Sequence, residues 1–365
     1  MNNRHPNTKT YLHTFIALIA ALISAQLAFA QSPSRLPQFQ VDDDWPNVPA
    51  QLKLGDPSSF AVDSNDNVYM LHRPHVLSDE DYPSAAPPVV VFDPAGEVIN
   101  TWGGNSADYQ WPQREHFIHI DYQDNVWIGG NYCPDRDIPR LKPVNDDQIL
   151  KFSTQGEFLL QIGLVDGSGG NADTLNLHQP ADVAIDPDTN EVFVADGYGN
   201  HRVIVFDATT GAYKRLWGAF GNSPEELDQC PPPALRTVPP GAGPDQFSIV
   251  HAIRISHDGL VYVADRENRR VQVYSRDGDY IQQLIQHETP FARNLALSAD
   301  PQQKYLYVGN GSDITIVERR SMTVIGSIAP EGMVGSGHQI ATDSKGNIYI
   351  AASRRGMQKL VLISD

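Results

Sequence analysis

The amino-acid sequence predicts an all-β fold, a six-bladed β-propeller, on the basis of three observations. One unit of sequence recurs six times, each unit contains short runs with period-2 alternation of apolar residues, and no stretch shows a helical period. Four short strands per unit, separated by turn residues, describe one blade of a propeller. We therefore expect residues 31–365 to form a single propeller domain, because all-β chains often exceed the average domain length.

Each unit begins with an apolar run that ends in Asp or Ser. A turn rich in Asp, Asn and Gly follows, then a run of β-branched and aromatic residues such as VYVAD, and then two more alternating runs. The last copy ends one strand short of a blade, so RLPQFQV (35–41) is expected to supply the outer strand and close the ring, which would remove exposed sheet edges. The six copies begin with residues 58–73, 115–130, 180–207, 250–275, 291–310 and 337–353.

Two insertions interrupt the pattern. Residues 131–146 separate the second and third strands of the second blade, and residues 220–246 separate the third and fourth blades. In a propeller both kinds of connection lie on the face where the innermost strands begin, so the insertions are expected to wall the mouth of the central channel. Each carries one of the two cysteines, Cys133 and Cys230. An oxidising compartment would permit a disulfide between them, and two free thiols are also compatible with the sequence.

The first thirty residues have the pattern of a secretory signal peptide. Two basic residues precede an apolar core from Phe15 to Ile23, and Ala-Phe-Ala at 28–30 offers a small-residue cleavage site. The alternative, a single membrane anchor, fits less well because the apolar run is too short to span a bilayer. We expect the mature chain to begin near Gln31 and to be exported, periplasmic or secreted, as a monomer.

Charge excludes one class of partner. The chain has 27 Lys and Arg against 44 Asp and Glu, a formal net charge of -17. An acidic surface repels phosphate backbones, and no basic stripe interrupts it. Nucleic acid is therefore not an expected partner, and no apolar run is long enough for a membrane span.

Alignment of the six units places histidine at one position in alternate blades. Innermost strands line the axis, and alternate blades stand about 120° apart, so three imidazoles would converge at the channel mouth. Three neutral imidazoles with an open fourth position favour zinc, and iron, manganese and copper are left open. The position lies five residues before the Asp or Ser that closes the innermost strand, and it holds in order Ser58, His116, Ala181, His251, Arg293 and His338.

The second strands of three blades end at the same face. They carry Arg73, Tyr198 between two glycines, and Arg266. Two arginines suit recognition of a carboxylate, and cations with a metal ion favour the phenolate form of a tyrosine, so Tyr198 is the candidate base. The alternative role of each is a salt bridge or a packed aromatic of the blade.

These motifs resemble a known family. HxxxxD strands followed by LHR (71–73), DGYGNHR (196–202) and ADRENRR (264–270) are similar to the NHL-type propeller of the peptidyl-α-hydroxyglycine α-amidating lyases, over nearly all of the chain from about Asp44. The resemblance implies a peptide or small-molecule substrate with an α-hydroxyglycine-like end, whose C–N bond is cleaved to give an amide and glyoxylate. The residues that it implies are zinc ligands His116, His251 and His338, catalytic Tyr198, and active-site Arg73 and Arg266.

The sequence departs from the family near the third histidine. Ser336 stands where the family has methionine, and Gln339 stands where it has an aspartate that helps to bind a structural calcium ion. The resemblance therefore does not carry calcium over to this chain. Gly199 and Val273 lie where the family has paired cysteines.

Two other functions remain as alternatives. Propeller hydrolases and lactonases hold a metal on the axis, but usually with carboxylate and Asn ligands, where this sequence has histidines. A non-catalytic NHL-repeat binding protein is typical of the fold, since propellers host many functions. Such a module has no reason to place imidazoles on alternate blades, so the sequence favours the lyase.

Overall fold

The computed structural model describes Met1 and residues 36–134, 137–225, 243–285 and 292–364. Gln38–Ser364 form one compact unit that contains six four-stranded antiparallel sheets. The predicted six-bladed propeller is confirmed. The predicted signal peptide and Cys230 lie outside the described residues.

Each of the first five blades is a meander in which strands pair in chain order. The strands of blades 1 to 3 are β2 (Asp56–Val62), β3 (Val68–Arg73), β4 (Val89–Phe92), β5 (Val98–Trp102), β6 (Glu115–Ile120), β7 (Val126–Gly130), β8 (Gln148–Phe152), β9 (Phe158–Gly163), β10 (Asp182–Asp186), β11 (Glu191–Asp196), β12 (Arg202–Asp207) and β13 (Tyr213–Trp217). Those of blades 4 and 5 are β14 (Val250–Ile255), β15 (Val261–Asp265), β16 (Arg270–Tyr274), β17 (Tyr280–Ile285), β18 (Asn294–Leu297), β19 (Tyr305–Gly309), β20 (Ile314–Glu318) and β21 (Thr323–Ile328).

The sixth blade joins the two ends of the described chain. It contains β22 (Gln339–Thr342), β23 (Ile348–Ala351) and β24 (Met357–Ser364), and β1 (Gln38–Val41) pairs antiparallel with β24 as its outermost strand. Helical structure in the described residues is limited to the 3₁₀ turns Pro74–Val76, Tyr82–Ser84, Ala219–Gly221 and Ser353–Arg355. Across these residues, no helix is both long enough and apolar enough to cross a bilayer.

One carboxylate shapes the turn after the innermost strand in three blades. Asp63 accepts hydrogen bonds from the backbone N–H groups of Asn65 and Asn67 at 2.9 and 2.8 Å, and from the Asn67 amide at 2.9 Å. Asp121 and Asp343 make the same set of bonds in blades 2 and 6. The aspartate that ends these strands is therefore a turn-forming residue, because its oxygens satisfy backbone groups that no strand pairs.

The same turns link neighbouring blades. Ser64 donates its backbone N–H and its hydroxyl to the carboxylate of Asp124 in the next blade, at 2.9 and 2.6 Å. Ser344 bonds to Asp66 in the same way, at 2.9 and 2.8 Å. These bonds connect blades 6, 1 and 2 on the face where the innermost strands end.

The apolar core lies between neighbouring blades. Phe117, Trp127 and Ile149 of blade 2, for example, pack against Val183 and Ile204 of blade 3. Every blade is covered on both faces by its neighbours, so runs such as VYVAD are buried throughout rather than on alternate residues. The first residues of the innermost strands thereby stay at fixed angles around the axis.

We expect Phe39→Ala to destabilise the ring closure. Phe39 is 9% exposed, and its ring meets Tyr307 of blade 5 edge to face at 6.2 Å. Truncation of a buried phenylalanine costs about 3 kcal/mol of the free energy of unfolding. Chemical denaturation measures this loss, and Ile99→Ala, at a side chain that is 54% exposed, is the matched control. Equal stability of the two variants would contradict a role of β1 in holding blade 6.

Candidate metal centre and active site

Three innermost strands begin with a β-bulge, in which one extra residue has no partner on the neighbouring strand. In blade 2, Glu115 pairs with Gly130 and Phe117 pairs with Gly129, which leaves His116 as the extra residue of the bulge. His251 and Ser58 are the corresponding extra residues in blades 4 and 1. Bulges re-aim side chains next to functional sites. Two of the three histidines therefore lie at a backbone irregularity, whereas His338 directly precedes the first strand of its blade.

The three predicted histidines come together. The ligand atoms of His116, His251 and His338 all lie within 4.8 Å of one another, and the Nε2 atoms of His116 and His338 are 3.0 Å apart. His116 and His251 are fully buried, and His338 is partly buried. The three side chains form a cluster that can offer three nitrogen ligands to one ion.

Each imidazole of the cluster is fixed by the next blade. A carbonyl oxygen can only accept a hydrogen bond, so each Nδ1 atom carries the proton and each Nε2 atom presents its lone pair to the cluster. The acceptors occupy the histidine register of the three other blades. Nδ1 of His116, His251 and His338 lies 2.8, 2.6 and 2.8 Å from the carbonyl oxygens of Ala181, Arg293 and Ser58.

The donor set fits a metal ion. Burial, more than any neighbouring charge, lowers the pKa of all three imidazoles well below the usual value, which keeps them neutral. Two lone pairs 3.0 Å apart repel each other unless a positive charge lies between them. Two tetrahedral zinc ligands, each roughly 2.0 Å from the ion, would be about 3.3 Å apart, close to the observed separation. Three neutral imidazole nitrogens thus suit zinc.

Tyr198 lies beside the cluster. Its hydroxyl oxygen is 3.1 Å from Nε2 of both His116 and His251, and it accepts a hydrogen bond of 2.9 Å from Nη1 of Arg266. The preceding glycine makes this approach possible, because a Cβ atom on Gly197 would lie 2.1 Å from the carbonyl oxygen of Val250. The turn after β11 therefore brings a phenol group to two of the three histidines.

Arg266 is held by a residue that the sequence reasoning missed. Glu267 accepts hydrogen bonds from Nε and Nη2 of Arg266 at 2.8 and 2.7 Å. The salt bridge considered as the alternative role is thus present, and the same guanidinium also contacts Tyr198. The signal that could have identified Glu267 was its position, directly after a candidate cation.

Arg73 is buried rather than exposed at the channel rim. It is 5% exposed, its Nε donates to the carbonyl oxygen of Glu115 at 2.8 Å, and its Nη2 donates to Oγ of Ser58 at 3.0 Å. Burial first, and then the nearby Arg114, lower the pKa of Arg73 to about 9. The guanidinium is therefore a cation at neutral pH, and it forms no ion pair within the described part of the chain. Such a buried cation favours an anion beside it.

The two most specific motifs also build the turns that carry Tyr198 and Arg266. In ADRENRR, Asp265 accepts hydrogen bonds from Asn268 and Arg270 at 2.8 and 2.7 Å, and all three side chains are buried. In DGYGNHR, the corresponding aspartate, Asp196, bonds to Asn200 and Arg202 at 2.8 and 2.9 Å. Most of the motif residues are therefore structural.

A cavity of about 500 Å³ opens beside the cluster. His338 and Arg73 line its wall, and further arginines come from other blades: Arg114, Arg293 and the pair 354–355. The pair follows the second strand of blade 6 and lies one and two residues beyond Ser353, the residue that aligns with Arg73 of blade 1. Comparison of the same position in the six blades would therefore not have identified the pair in the sequence.

Gln339 is the residue that the family comparison associates with calcium. Its carboxamide is buried next to His338, and neither its nitrogen nor its oxygen has a hydrogen-bond partner among the described residues. An amide lacks the negative charge with which an aspartate binds calcium. The absence of structural calcium stays a prediction.

Cys133 is disulfide-bonded and fully buried. The alternative of two free thiols is therefore wrong for this residue. The only other cysteine of the chain, Cys230, lies outside the described residues. The insertion that carries Cys133 borders the cavity through Ile138, as expected for a segment at the channel mouth.

Sequence comparison defines the class of the protein. The NHL repeat model matches residues 177–206, which cover most of the first three strands of blade 3. The chain is thus a six-bladed β-propeller that contains an NHL repeat in blade 3.

Individual relatives narrow the class. The chain is 30% identical to the peptidyl-glycine alpha-amidating monooxygenase B of Xenopus laevis over 290 residues, 75% of this chain and 28% of that protein. It is 27% identical to peptidyl-alpha-hydroxyglycine alpha-amidating lyase 1 of Drosophila melanogaster over 250 residues, 63% of this chain and 39% of the relative. It is also 24% identical to NHL repeat-containing protein 3 of Homo sapiens over 346 residues, 90% and 85% of the two chains.

The resemblance predicted from the motifs is thus confirmed. The chain is a six-bladed propeller with an NHL repeat, and it is similar in sequence to peptidyl-α-hydroxyglycine α-amidating lyases. It matches between about a quarter and two fifths of the length of the amidating relatives named above.

We expect Arg270→Leu to destabilise the turn that carries Arg266. The substitution leaves the fully buried carboxylate of Asp265 without its cation, which costs about 3 to 5 kcal/mol when a buried pair is broken. Chemical denaturation of the variant tests this. Arg320→Leu is the control, because the Arg320 side chain is 73% exposed and its long ion pair with Asp258 contributes little. A loss at Arg270 no larger than the loss at Arg320 would contradict the structural role of the motif.

Proposed function

We propose that the protein is a zinc-dependent carbon–nitrogen lyase that converts an N-acyl-α-hydroxyglycine, such as a peptidyl-α-hydroxyglycine, into an amide and glyoxylate. One observation carries the proposal: the ligand atoms of three histidines lie within 4.8 Å of one another, and the Tyr198 hydroxyl, which accepts a hydrogen bond from Arg266, lies 3.1 Å from two of them. The similarity to an amidating lyase supports the same reaction class.

The metal would be held by Nε2 of His116, His251 and His338. When bound, the ion supplies Lewis acidity that makes the α-hydroxyl group of the substrate a stronger acid. The carbonyl groups of the next blades fix the tautomer and the orientation of each ring, as the partners of metal-ligating histidines commonly do. Three protein ligands leave one position for the substrate.

Tyr198 acts as the general base. Its oxygen accepts the proton of the α-hydroxyl group, and the guanidinium of Arg266 stabilises the negative charge that the phenolate carries before this transfer. The α-carbon forms a carbonyl group as its C–N bond breaks, and the electron pair of that bond stays on the amide nitrogen. Tyr198 returns the proton to this nitrogen, so the products are a neutral amide and the glyoxylate anion.

Arg73 holds the carboxylate of the substrate. It lines the cavity next to His338, and its guanidinium is buried without an ion-pair partner within the described residues. Arg266 is less suited to this role because Glu267 and Tyr198 already occupy its guanidinium. A charge-assisted hydrogen bond to a desolvated guanidinium is strong, so the carboxylate fixes the α-carbon beside Tyr198.

The proposal includes export from the cytoplasm. The disulfide at Cys133 supports an oxidising compartment, since such bonds are rare where thiols are kept reduced. The predicted signal peptide leads to the same compartment.

A non-catalytic binding protein is the second candidate. The observation that favours it is the similarity to NHL repeat-containing protein 3, which covers a larger part of both chains than the similarity to the amidating lyase of Drosophila. A binding protein needs neither bound metal nor the phenol beside it, so metal content and turnover separate the two candidates.

The test of the proposal uses the purified mature protein. Elemental mass spectrometry measures zinc per chain, and a colorimetric assay measures glyoxylate from N-benzoyl-α-hydroxyglycine before and after treatment with a chelator. We expect about one zinc per chain and chelator-sensitive release of glyoxylate. A metal-free and inactive protein would support the binding function instead.

His116→Ala is expected to lose zinc and glyoxylate release together, while its circular dichroism spectrum stays that of the parent. Two imidazoles alone bind zinc weakly, because structural and catalytic sites use three or four protein ligands. His257→Ala is the matched control, since His257 is exposed and lines a cavity that does not include the cluster. A fully active and zinc-loaded His116→Ala protein would exclude the three-histidine site.

Tyr198→Phe is expected to keep zinc and to lose turnover. Loss of a general base lowers kcat by about 10² to 10⁴-fold, whereas phenylalanine preserves the packing of the ring. Steady-state kinetics and zinc analysis of the same preparation measure both effects. Tyr122→Phe, at an exposed tyrosine, is the control. A kcat within about threefold of the parent in Tyr198→Phe would remove Tyr198 from the base role.

A further inference from the structure

The cavity beside His338 is strongly cationic in an acidic protein. Five arginines line it, whereas Asp56 is the single carboxylate among its described lining residues. Apart from Arg73, the cationic side chains are Arg114, Arg293, Arg354 and Arg355. A concentration of one sign of charge in a cleft focuses the electric field there and attracts the opposite charge, although the chain as a whole carries -17.

These arginines differ from most others in the chain. Arg202, Arg215, Arg270 and other arginines elsewhere form ion pairs with carboxylates. By contrast, the ion pairs between described residues include none to Arg73, Arg114, Arg354 or Arg355. The cavity thus holds four guanidinium groups, those of Arg73, Arg114, Arg354 and Arg355, that form no ion pair with a described carboxylate.

The arginines are arranged from the base of the cavity to its mouth. Arg73 is buried near the histidine cluster, Arg114 is half-buried and donates to Oδ1 of Asn131 at 2.7 Å, and Arg354 and Arg355 are exposed. Arg355 also donates to the carbonyl oxygen of Val334 at 2.9 Å, which directs its side chain along the surface. A single carboxylate at Arg73 would leave the outer cations without a partner.

The volume of the cavity also indicates that a single carboxylate does not fill it. A carboxylate accepts a bidentate pair of hydrogen bonds from one guanidinium and occupies only a small part of the cavity of about 500 Å³. The remaining space continues from the buried end toward Arg354 and Arg355, so it suits the rest of an extended molecule that carries a second negative charge.

We propose that the cavity binds a second anionic group, a carboxylate on the acyl part of the substrate. This inference rests on the proposed lyase function and specifies its substrate class: N-acyl-α-hydroxyglycines whose acyl group is a dicarboxylic acid or an acidic peptide. Arg73 takes the hydroxyglycine carboxylate, and Arg354 and Arg355, with Arg114, take the distal one. Neutral acyl groups leave the outer arginines hydrated and contribute no charge-assisted hydrogen bonds.

Two substrates of equal shape test the proposal. N-glutaryl-α-hydroxyglycine carries the distal carboxylate, and the N-(4-carbamoylbutanoyl) compound replaces it by an uncharged amide. We expect kcat/KM for the glutaryl substrate to be at least about tenfold higher, mostly through a lower KM, since hydrogen bonds to charged groups are the stronger ones. The ratio should fall as salt is added, because exposed guanidinium groups are screened. Equal kcat/KM values would overturn the proposal.

A double variant locates the effect. In Arg354→Gln with Arg355→Gln, both side chains are exposed, so we expect the melting temperature to stay close to that of the parent and the ratio of the two kcat/KM values to fall toward one. Arg320→Gln removes an exposed arginine outside the cavity and should keep the parent ratio. An unchanged ratio in the double variant would overturn the assignment of the distal carboxylate to this cavity.

A binding measurement separates this proposal from the lyase function. Isothermal titration calorimetry with glutarate and with its monoamide needs no turnover, and we expect tighter binding of glutarate to the parent than to the double variant. If neither hydroxyglycine substrate releases glyoxylate but glutarate binds in this way, the lyase function fails and the anion site stands. If both substrates turn over equally and glutarate shows no preference over its monoamide, the anion site fails and the lyase function stands.

Discussion

The geometry of the site depends on hydrogen bonds between blades. Each histidine donates its Nδ1 proton to a backbone carbonyl group of the following blade, so the ring orientation is set by a neighbour rather than by the strand that carries the residue. The three acceptors belong to the three blades that have no histidine at this position. All six blades therefore contribute to the cluster, and a change in the angle between any two of them would move an imidazole nitrogen.

The site combines groups that oppose folding. Three imidazoles are kept neutral by burial, Arg73 is a cation at the base of a cavity, and Glu267 is needed to hold Arg266 beside a phenol. The interfaces between blades provide the compensating stability, since their apolar side chains are almost completely buried. Functional sites commonly contain groups whose placement is unfavourable for folding, and the stability of the surrounding structure keeps them in place.

The fold and much of the site were predictable because a propeller converts sequence register into an angle around one axis. His116, His251 and His338 share one position in alternate units, so their meeting follows from the repeat. Tyr198 and Arg266 lie two residues and one residue after equivalent aspartates, Asp196 and Asp265, so the repeat brings them only to the same face. The bulges were not predictable, since an extra residue in one strand is defined only by its pairing with the next strand.

Other features depended on contacts between distant residues. The burial of Arg73 depends on Ser58 and Glu115, and the grouping of arginines around the cavity depends on side chains from several blades that no single motif contains. The sequence allowed a disulfide at Cys133 but did not predict one, because the distance between two cysteines is a property of the folded chain.

The pairing of β1 with β24 has a consequence for the order of events during biosynthesis. The first strand of the ring to leave the ribosome finds its partner among the last, nearly the whole length of the chain away. Until then blade 6 lacks its outer strand, and a long-range contact of this kind forms slowly. The ring can therefore close only after nearly the whole propeller has been synthesised.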